Sequence, residues 1–291
     1  MTSIWVDLLG AQTRYVDAGG IRTRFIEAGE GPAVIFLHGV GGHAEGFARN
    51  VVPLSDRFRV ISLDYLGFGL TDAPPTPPSL DSYVQHLLDF MDAVGLEKAH
   101  LVGESLGGWI AMWTALRHPD RVDRLISVCG ARLKVDEDEE SARHMQHGLS
   151  ELRRLTAEFV ADPSRDAVRR RMEWLFFDPA KDLSEELVDI RWVMYQRGQA
   201  IKVLSDANQR LSGQVTHDPA PLTPERLAEL RHEVLFLWTS HNPTTTAATA
   251  RRAAAYVPRS HFALMEKCGH WPQWEDAATF NGHVRSFLAP A

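Results

Sequence analysis

The chain has 291 residues, of which 44% are hydrophobic, and it carries a formal net charge of −7. This length suits one large α/β domain with an insertion, or two small domains, and the composition is ordinary for a chain that buries a core. The acidic balance argues against a nucleic-acid partner, which usually binds a basic surface.

The first residues, Met1-Thr-Ser-Ile, lack a basic and apolar leader, and no later stretch offers about 18 uninterrupted apolar residues. We therefore expect a soluble, cytoplasmic protein without a membrane partner. Cys129 and Cys268 are too few and too poorly spaced for a disulfide framework or a zinc site, so we expect two free, packed thiols. Basic clusters that we interpret as solvated helix faces are Arg153-Arg154, Arg169-Arg170-Arg171 and Arg251-Arg252.

The chain opens with two β-like runs, residues 13–17 and 21–27, joined by a short Gly-containing turn that predicts a hairpin. The continuously apolar run 33–37 predicts a strand covered on both faces. It leads into His38-Gly39-Val40-Gly41-Gly42, whose spacing fits neither phosphate-binding glycine motif. This loop instead matches the segment that completes the oxyanion hole of α/β-hydrolases.

A second buried strand is predicted over residues 59–63, followed by a proline-rich loop and a helix with an apolar face. The next apolar run begins at Lys98 and breaks at Gly103-Glu104-Ser105-Leu106-Gly107, after which a helical pattern begins. A G-x-S-x-G sequence between a strand and a helix predicts a nucleophile elbow, with Ser105 Oγ exposed at the carboxyl end of the strand.

Strands and helices alternate through the first 130 residues, which is typical of a mostly parallel sheet with helices on both faces. From about Lys134 to Pro221 the pattern becomes charged and helical, and begins with an acidic run, residues 136–140, that we interpret as a solvated helix start. The alternation returns with a strand over 234–238, a helix over 247–256, a strand over 261–265 and a final helix over 274–288. We therefore divide the chain into a core, residues 1–133 and 222–291, and an inserted helical cap, residues 134–221.

His270 follows the last predicted strand, where the order Ser, acid, His of α/β-hydrolases places the general base. An aspartate is expected after the seventh strand, yet Trp238-Thr-Ser-His-Asn-Pro243 contains none. Asn242 is our assignment for the acid position, with His241 as the alternative register. Either a neutral amide orients the histidine, or a cap carboxylate replaces the acid, or the chain is a low-activity member or an engineered aspartate-to-asparagine variant.

The sequence resembles the meta-cleavage product hydrolases, α/β-hydrolases that cut a carbon–carbon bond in 2-hydroxy-6-oxohexa-2,4-dienoates during bacterial aromatic degradation. The resemblance covers nearly the whole chain and rests mainly on Cys268-Gly-His-Trp-Pro-Gln-Trp-Glu275, Arg49-Asn50 and the segment 183–192. It implies an eight-stranded, mostly parallel sheet with flanking helices and an inserted helical cap.

The resemblance also implies roles for individual residues. Ser105, His270 and Asn242 would be catalytic, and the backbone N–H groups of Leu106 and of Val40 or Gly41 would form the oxyanion hole. Arg191 would bind the substrate's carboxylate end and Trp271 would pack on the dienoate. The remaining expected substrate neighbours are Gly39, Asn50 and Glu104, although many relatives have Asn where this chain has Glu104.

The expected substrate is thus a small molecule, and neither a cofactor nor a metal is expected. An esterase or lactonase of the same fold is the alternative enzyme, because the triad and oxyanion hole would be identical. A non-catalytic ligand-binding homologue that lost its acid is the alternative outside catalysis. The sequence leaves open which group the substrate carries at C6, and whether the chain forms a homodimer.

Overall fold

A computed structural model describes residues 3–197, 201–205 and 220–289. Eight strands form one sheet in the order β1-β2-β4-β3-β5-β6-β7-β8. The strands are β1 (Gln12–Ala18), β2 (Ile21–Ala28), β3 (Ala33–Leu37), β4 (Arg59–Leu63), β5 (Ala99–Glu104), β6 (Val122–Val128), β7 (Glu233–Thr239) and β8 (Ser260–Met265). Strand β2 pairs with β1 and β4 in antiparallel fashion, and every other pairing is parallel. The predicted fold class, a mostly parallel eight-stranded sheet with flanking helices, is confirmed.

Helices cover both faces of the sheet and fill the connection between β6 and β7. They are α1 (Ile4–Asp7), α2 (Ala48–Leu54), α3 (Leu80–Ala93), α4 (Leu106–Arg117), α5 (Glu139–Ala161), α6 (Arg165–Glu173), α7 (Pro179–Asp182), α8 (Glu185–Arg197), α9 (Pro224–Ala228), α10 (Ala247–Tyr256), α11 (Pro272–Glu275) and α12 (Ala277–Leu288). Residues 201–205 are also helical. No helix of the described residues has the length and apolarity needed to cross a bilayer.

The central strands are apolar because both of their faces are covered. All five residues of β3 are buried, and they alternate between two hydrophobic clusters: Ile35 and Leu37 belong to one, Val34 and Phe36 to the other. Successive side chains of a strand point to opposite faces, so the two clusters lie on the two sides of the sheet. This two-sided burial holds the carboxyl ends of the parallel strands, where the elbow lies, in fixed positions.

A buried group of charged side chains fixes the loops that follow β3 and β4. The Arg24 guanidinium donates to Asp64 at 2.9 Å and also to Glu45. Asp64 in turn accepts from the backbone N–H groups of Ala44, at 2.6 Å, and Leu70, at 2.9 Å. Because each buried charge has an oppositely charged or N–H partner, the cluster pins the loop that carries residues 38–44 against the sheet.

The prediction of the last helix is wrong in one respect, because residues 274–288 belong to two helices rather than one. Asp276 separates them with φ −137° and ψ 71°, and its side chain accepts from Thr279 N at 3.1 Å. An aspartate at this position caps the second helix by satisfying one of its free N–H groups. Helix α2 was not predicted.

Helices α5 to α8 lie in the segment that the sequence assigned to the cap. The chain leaves and re-enters the core side by side, because Lys134 N donates to Leu222 O at 3.0 Å and Leu222 N to Arg132 O at 2.9 Å. Asp138, within the acidic run, caps α5 by accepting from Ser141 N at 2.8 Å. The division into core and cap stays a prediction, and the parts of the cap over residues 198–200 and 206–219 lie outside the described residues.

Candidate active site

Ser105 occupies a strained turn between β5 and α4. Its φ of 52° and ψ of −112° fall in a region that residues with a side chain seldom adopt. The turn has no room for larger neighbours, because a Cβ on Gly107 would lie 2.1 Å from Leu37 O and one on Gly103 would lie 2.3 Å from the Gly107 carbonyl carbon. Ser105 N donates to Val128 O at 2.9 Å. The elbow thus projects the serine from the carboxyl end of its strand.

A cavity of about 260 Å³ lies between the sheet and the helices of the predicted cap. It is lined by Ser105, His270 and Trp271 from the core, and by Arg171, Trp174 and Leu175 from the cap segment, among others. Trp174 lines the cavity with its aromatic side chain, whereas Phe177 is 42% exposed and packs on His241. The glycine loop after β3, the elbow and the histidine motif therefore meet in one place.

His270 is held by Asn242 through one ring nitrogen. Nδ1 lies 2.6 Å from Asn242 Oδ1, and Asn242 Nδ2 donates to Thr245 O at 2.8 Å. The second bond fixes the orientation of the amide, so its oxygen faces the ring and Nδ1 carries the proton. His241 is exposed and bonds Ser240 Oγ at 2.8 Å instead. Asn242, rather than His241, contacts the predicted base.

Glu104 lies against the other ring nitrogen of His270. Its Oε1 is 3.0 Å from Nε2, and its Oε2 accepts from the backbone N–H of Gly39 at 2.6 Å. The Oε1 atom is not aligned for a hydrogen bond with Nε2, so this contact is electrostatic. Gly39 N is consequently engaged with Glu104, and Glu104 as a whole residue is 1% exposed.

The loop that carries His270 is fastened by Glu275, a residue for which sequence reasoning gave no role. Its carboxylate accepts from the N–H groups of Gly269, at 2.9 and 3.0 Å, and Trp271, at 3.1 Å, and from Phe177 N at 2.8 Å. Burial raises the pKa of this carboxyl, and the backbone N–H donors oppose that shift. His270 N donates to Leu175 O at 2.6 Å, so the histidine loop and the segment 175–177 are joined directly.

The expected oxyanion donors surround the elbow. Leu106 is the first residue of α4, where a backbone N–H has no partner within the helix, and Leu106 and Val40 both line the cavity beside Ser105. Gly41 turns at φ 73°, and its carbonyl accepts from Tyr195 at 2.8 Å. His38, which precedes this loop, stacks on Tyr65 with 4.1 Å between ring centres, and burial lowers its pKa to about 3, so it stays neutral.

Two arginines are buried at the junction of cap and core. Arg191 is 1% exposed, its guanidinium carbon lies 4.6 Å from the centre of the Trp271 ring, and none of its nitrogens has a hydrogen-bond partner among the described residues. Burial lowers its pKa. Arg171 is 2% exposed and lines the cavity, and within the described part of the chain its guanidinium makes two long bonds of 3.4 Å, to Thr156 and Val40 O. The predicted solvated face is wrong for Arg171, whereas its neighbour Arg169 pairs with Glu185 at the surface.

Asn50 lies apart from the cavity. Its Nδ2 donates to Gln273 O at 3.1 Å and to Asn281 Oδ1 at 2.9 Å, and it is fully buried. These contacts join α2 to the C-terminal helices. The expectation that Asn50 neighbours the substrate therefore has no support from its position.

No cluster of three or more His, Cys, Asp or Glu side chains within the described ranges is arranged to hold a metal ion. Cys129 and Cys268 are free and buried, as predicted. A larger groove of about 670 Å³ lies at the amino ends of the parallel strands. Its charges pair with one another, for example Lys98 with Asp123 at 2.8 Å, so it offers no comparable constellation.

Residues 32–277 match the model of the alpha/beta hydrolase fold family. The chain is 32% identical over 271 residues to a 2-hydroxy-6-oxononadienedioate/2-hydroxy-6-oxononatrienedioate hydrolase of Comamonas testosteroni, which covers 90% of this chain and 89% of that protein. It is 31% identical to a 2-hydroxy-6-oxo-6-phenylhexa-2,4-dienoate hydrolase of Burkholderia cepacia, with 90% and 89% covered. A solved meta-cleavage product hydrolase from Pseudomonas fluorescens IP01 superimposes with a TM-score of 0.78 at 28% identity, over 94% of this chain and 97% of that one. The chain therefore belongs to the α/β-hydrolase fold family and, within it, to the meta-cleavage product hydrolases.

Proposed function

We propose that this protein hydrolyses the C5–C6 bond of a 2-hydroxy-6-oxohexa-2,4-dienoate, with Ser105 as nucleophile and His270 as acid and base. The observation that carries the proposal is the unpartnered Arg191 guanidinium, buried against Trp271, whose ring lines the cavity. An unpaired buried cation is costly, and a carboxylate held by two parallel N–H bonds would satisfy it.

The charges at and beside the cavity support an acidic substrate. Arg132 and Arg171 line the cavity, and Arg191 lies behind Trp271, so three positive charges are present. Glu104 contributes a negative charge and interacts electrostatically with Arg191. A carboxylate arriving with the substrate would reduce the positive excess.

The proposed catalytic sequence uses groups that line the same cavity, namely Ser105, His270, Leu106 and Val40. His270 assists ketonisation of the dienol, and Ser105 Oγ then attacks the C6 carbonyl while its proton passes to Nε2. The N–H groups of Leu106 and Val40 stabilise the oxyanion, each donor being worth about 3 to 4 kcal/mol. Collapse breaks the C5–C6 bond, and water releases the acyl group, which gives an acid and a 2-hydroxydienoate.

Trp271 in this proposal packs on the planar dienoate, because its ring lines the cavity and contacts both Arg191 and Phe176. Gly39 holds the carboxylate of Glu104 rather than the substrate, since its N–H is already engaged. Asn50 is not part of the proposed set.

A carboxylesterase is the second candidate, and Glu104 is the observation that favours it. A carboxylate next to the nucleophile lowers the positive potential that an acidic substrate would encounter. An absorbance assay separates the two, because ring-fission products are coloured and lose their colour on cleavage. Turnover of such a product by the parent protein and not by Ser105→Ala would support the C–C hydrolase, whereas turnover of p-nitrophenyl esters alone would support the esterase.

A further inference from the structure

The two ring nitrogens of His270 have neighbours of different charge. Asn242 Oδ1 accepts the Nδ1 proton at 2.6 Å, and the bond from Nδ2 to Thr245 O keeps that oxygen in place. A neutral amide can hold the ring in position and select its tautomer. It cannot stabilise a positive ring in the way that a carboxylate does.

A carboxylate is nevertheless present on the opposite side of the ring. Glu104 Oε1 lies 3.0 Å from Nε2, and Glu104 is the acid that lies within ion-pairing distance of His270 in the described part of the chain. Glu104 is held there by the Gly39 N–H group at 2.6 Å, and both partners are buried. At this distance and burial a full negative charge acts strongly on a neighbouring cation.

The direction of the contact between Glu104 Oε1 and His270 Nε2 matters as well as its length. Glu104 Oε1 lies beside Nε2 but outside the direction in which Nε2 would form a hydrogen bond. The in-line direction of Nε2 is therefore left to another partner, such as the serine hydroxyl. The carboxylate can act on the ring without taking the proton that the reaction needs.

We propose that Glu104 supplies the negative charge that Asn242 lacks, and that it stabilises the His270 imidazolium formed during acylation. The inference rests on the proposed serine mechanism. In that step the Oγ–H bond of Ser105 breaks, its proton binds Nε2, an Oγ–C bond forms, and the carbonyl π pair moves to the oxygen. His270 thereby gains one positive charge, and Glu104 lies next to it. Glu104 is a positioning residue, since it acts through His270.

A double-mutant cycle separates this electrostatic role from a role in holding the loop. Glu104→Gln removes the charge and keeps an oxygen that can accept from Gly39 N. We expect kcat for a p-nitrophenyl ester to fall by about 30-fold to 100-fold, with KM changed by less than about threefold. In the Asn242→Asp background a carboxylate already contacts Nδ1, so the same change should cost less than about fivefold.

Equal losses in both backgrounds would overturn the proposal, because a loop-holding role is indifferent to the charge at position 242. No loss in the parent background would overturn it as well. Asp182→Asn is the matched control, since it removes the charge of a buried acid that does not contact His270, and its activity should stay within about threefold. Thermal unfolding of each variant verifies that it is folded.

Glu104→Asp provides a second test if the Gln variant is unstable. Aspartate keeps the charge but is too short to preserve the Gly39 bond. Greater activity in the Asp variant than in Glu104→Ala supports the charge, and equal activity contradicts it. Ser105→Ala distinguishes an error about Glu104 from an error about the serine mechanism. If Ser105→Ala remains active, the serine mechanism itself is wrong, whatever the double-mutant cycle shows.

Discussion

Replacing Arg191 by Met should make the protein more stable and a poorer enzyme for its acidic substrate. In the free protein the Arg191 guanidinium is 1% exposed and has no hydrogen-bond partner among the described residues. Met has a similar volume and no polar atoms, whereas Gln would leave a buried amide unsatisfied. The replacement of buried charges by apolar groups of similar volume stabilises proteins by about 1 to 4 kcal/mol. The lost stacking on Trp271 offsets about 1 kcal/mol of this, so we expect a net gain of about 0 to 3 kcal/mol.

The same change removes the proposed carboxylate partner. Two charge-assisted bonds, each worth about 1.5 to 3 kcal/mol, would be lost from the complex, so kcat/KM for a ring-fission product should fall by at least about a hundredfold. Hydrolysis of a neutral p-nitrophenyl ester should change by less than about fivefold. Urea unfolding gives the free energy of unfolding, and absorbance gives the two rates.

Arg169→Met is the matched control, because Arg169 pairs at the surface with Glu185, which lies on the same helix as Arg191. It should alter neither stability nor either rate appreciably. The reasoning is refuted if Arg191→Met lowers the free energy of unfolding by more than about 1 kcal/mol, or if both substrates lose activity equally. The first result would mean that Arg191 has a stabilising partner, and the second that it does not recognise a carboxylate.

Ser105→Ala should lower hydrolysis by at least about a thousandfold and leave the circular dichroism spectrum unchanged, since the turn is set by its glycines. Asn242→Asp should raise ester hydrolysis by at least about tenfold, because a carboxylate on Nδ1 stabilises the imidazolium, but it loses the bond to Thr245 O and should lower the melting temperature. Gly103→Ala should destabilise the fold by about 2 to 4 kcal/mol, since the new Cβ would lie 2.3 Å from backbone atoms; a variant as stable as the parent in urea would contradict the described turn. Burial lowers the pKa of His86 to about 4 in the native state. As pH falls, the unfolded chain therefore binds a proton first, and the free energy of unfolding decreases by about 2 kcal/mol between about pH 7 and pH 5. His86→Gln should lose less over that range in urea titrations.

Local patterns predicted the fold well where burial and sequence period agree. The apolar run of β3 and the helix Ala247–Tyr256 have the bounds that the sequence predicts. The sequence predicts the C-terminal helix as one element, yet an aspartate such as Asp276 is itself a residue that commonly caps the start of a helix. The remaining errors, such as the missed helix α2, concern elements that depend on tertiary contacts, which a single sequence does not display.

Arg171 illustrates the limit at the site. Three consecutive arginines look solvated, but consecutive helix residues point about 100° apart, so one of them can face inward while its neighbours face water. Arg171 lies on the buried side with Val168 and Met172. Ser105 and His270 could be predicted because motifs of fixed spacing carry them. His270 has Glu104 beside one ring nitrogen and Asn242 beside the other. These neighbours depend on how segments that are distant in the sequence meet in space.

The bonds around Glu275 limit how the active site can open. Phe177 N binds the same carboxylate as Gly269 N and Trp271 N, and His270 N binds Leu175 O. Lifting the segment 175–177 would break contacts that hold the loop of His270 in place, so a movement of the predicted cap that keeps this loop intact would have to hinge elsewhere. The same bonds constrain chimeric enzymes: a cap grafted from a relative would have to bring its own counterpart of the loop 269–275, because the two segments are one structural unit contributed by two parts of the chain.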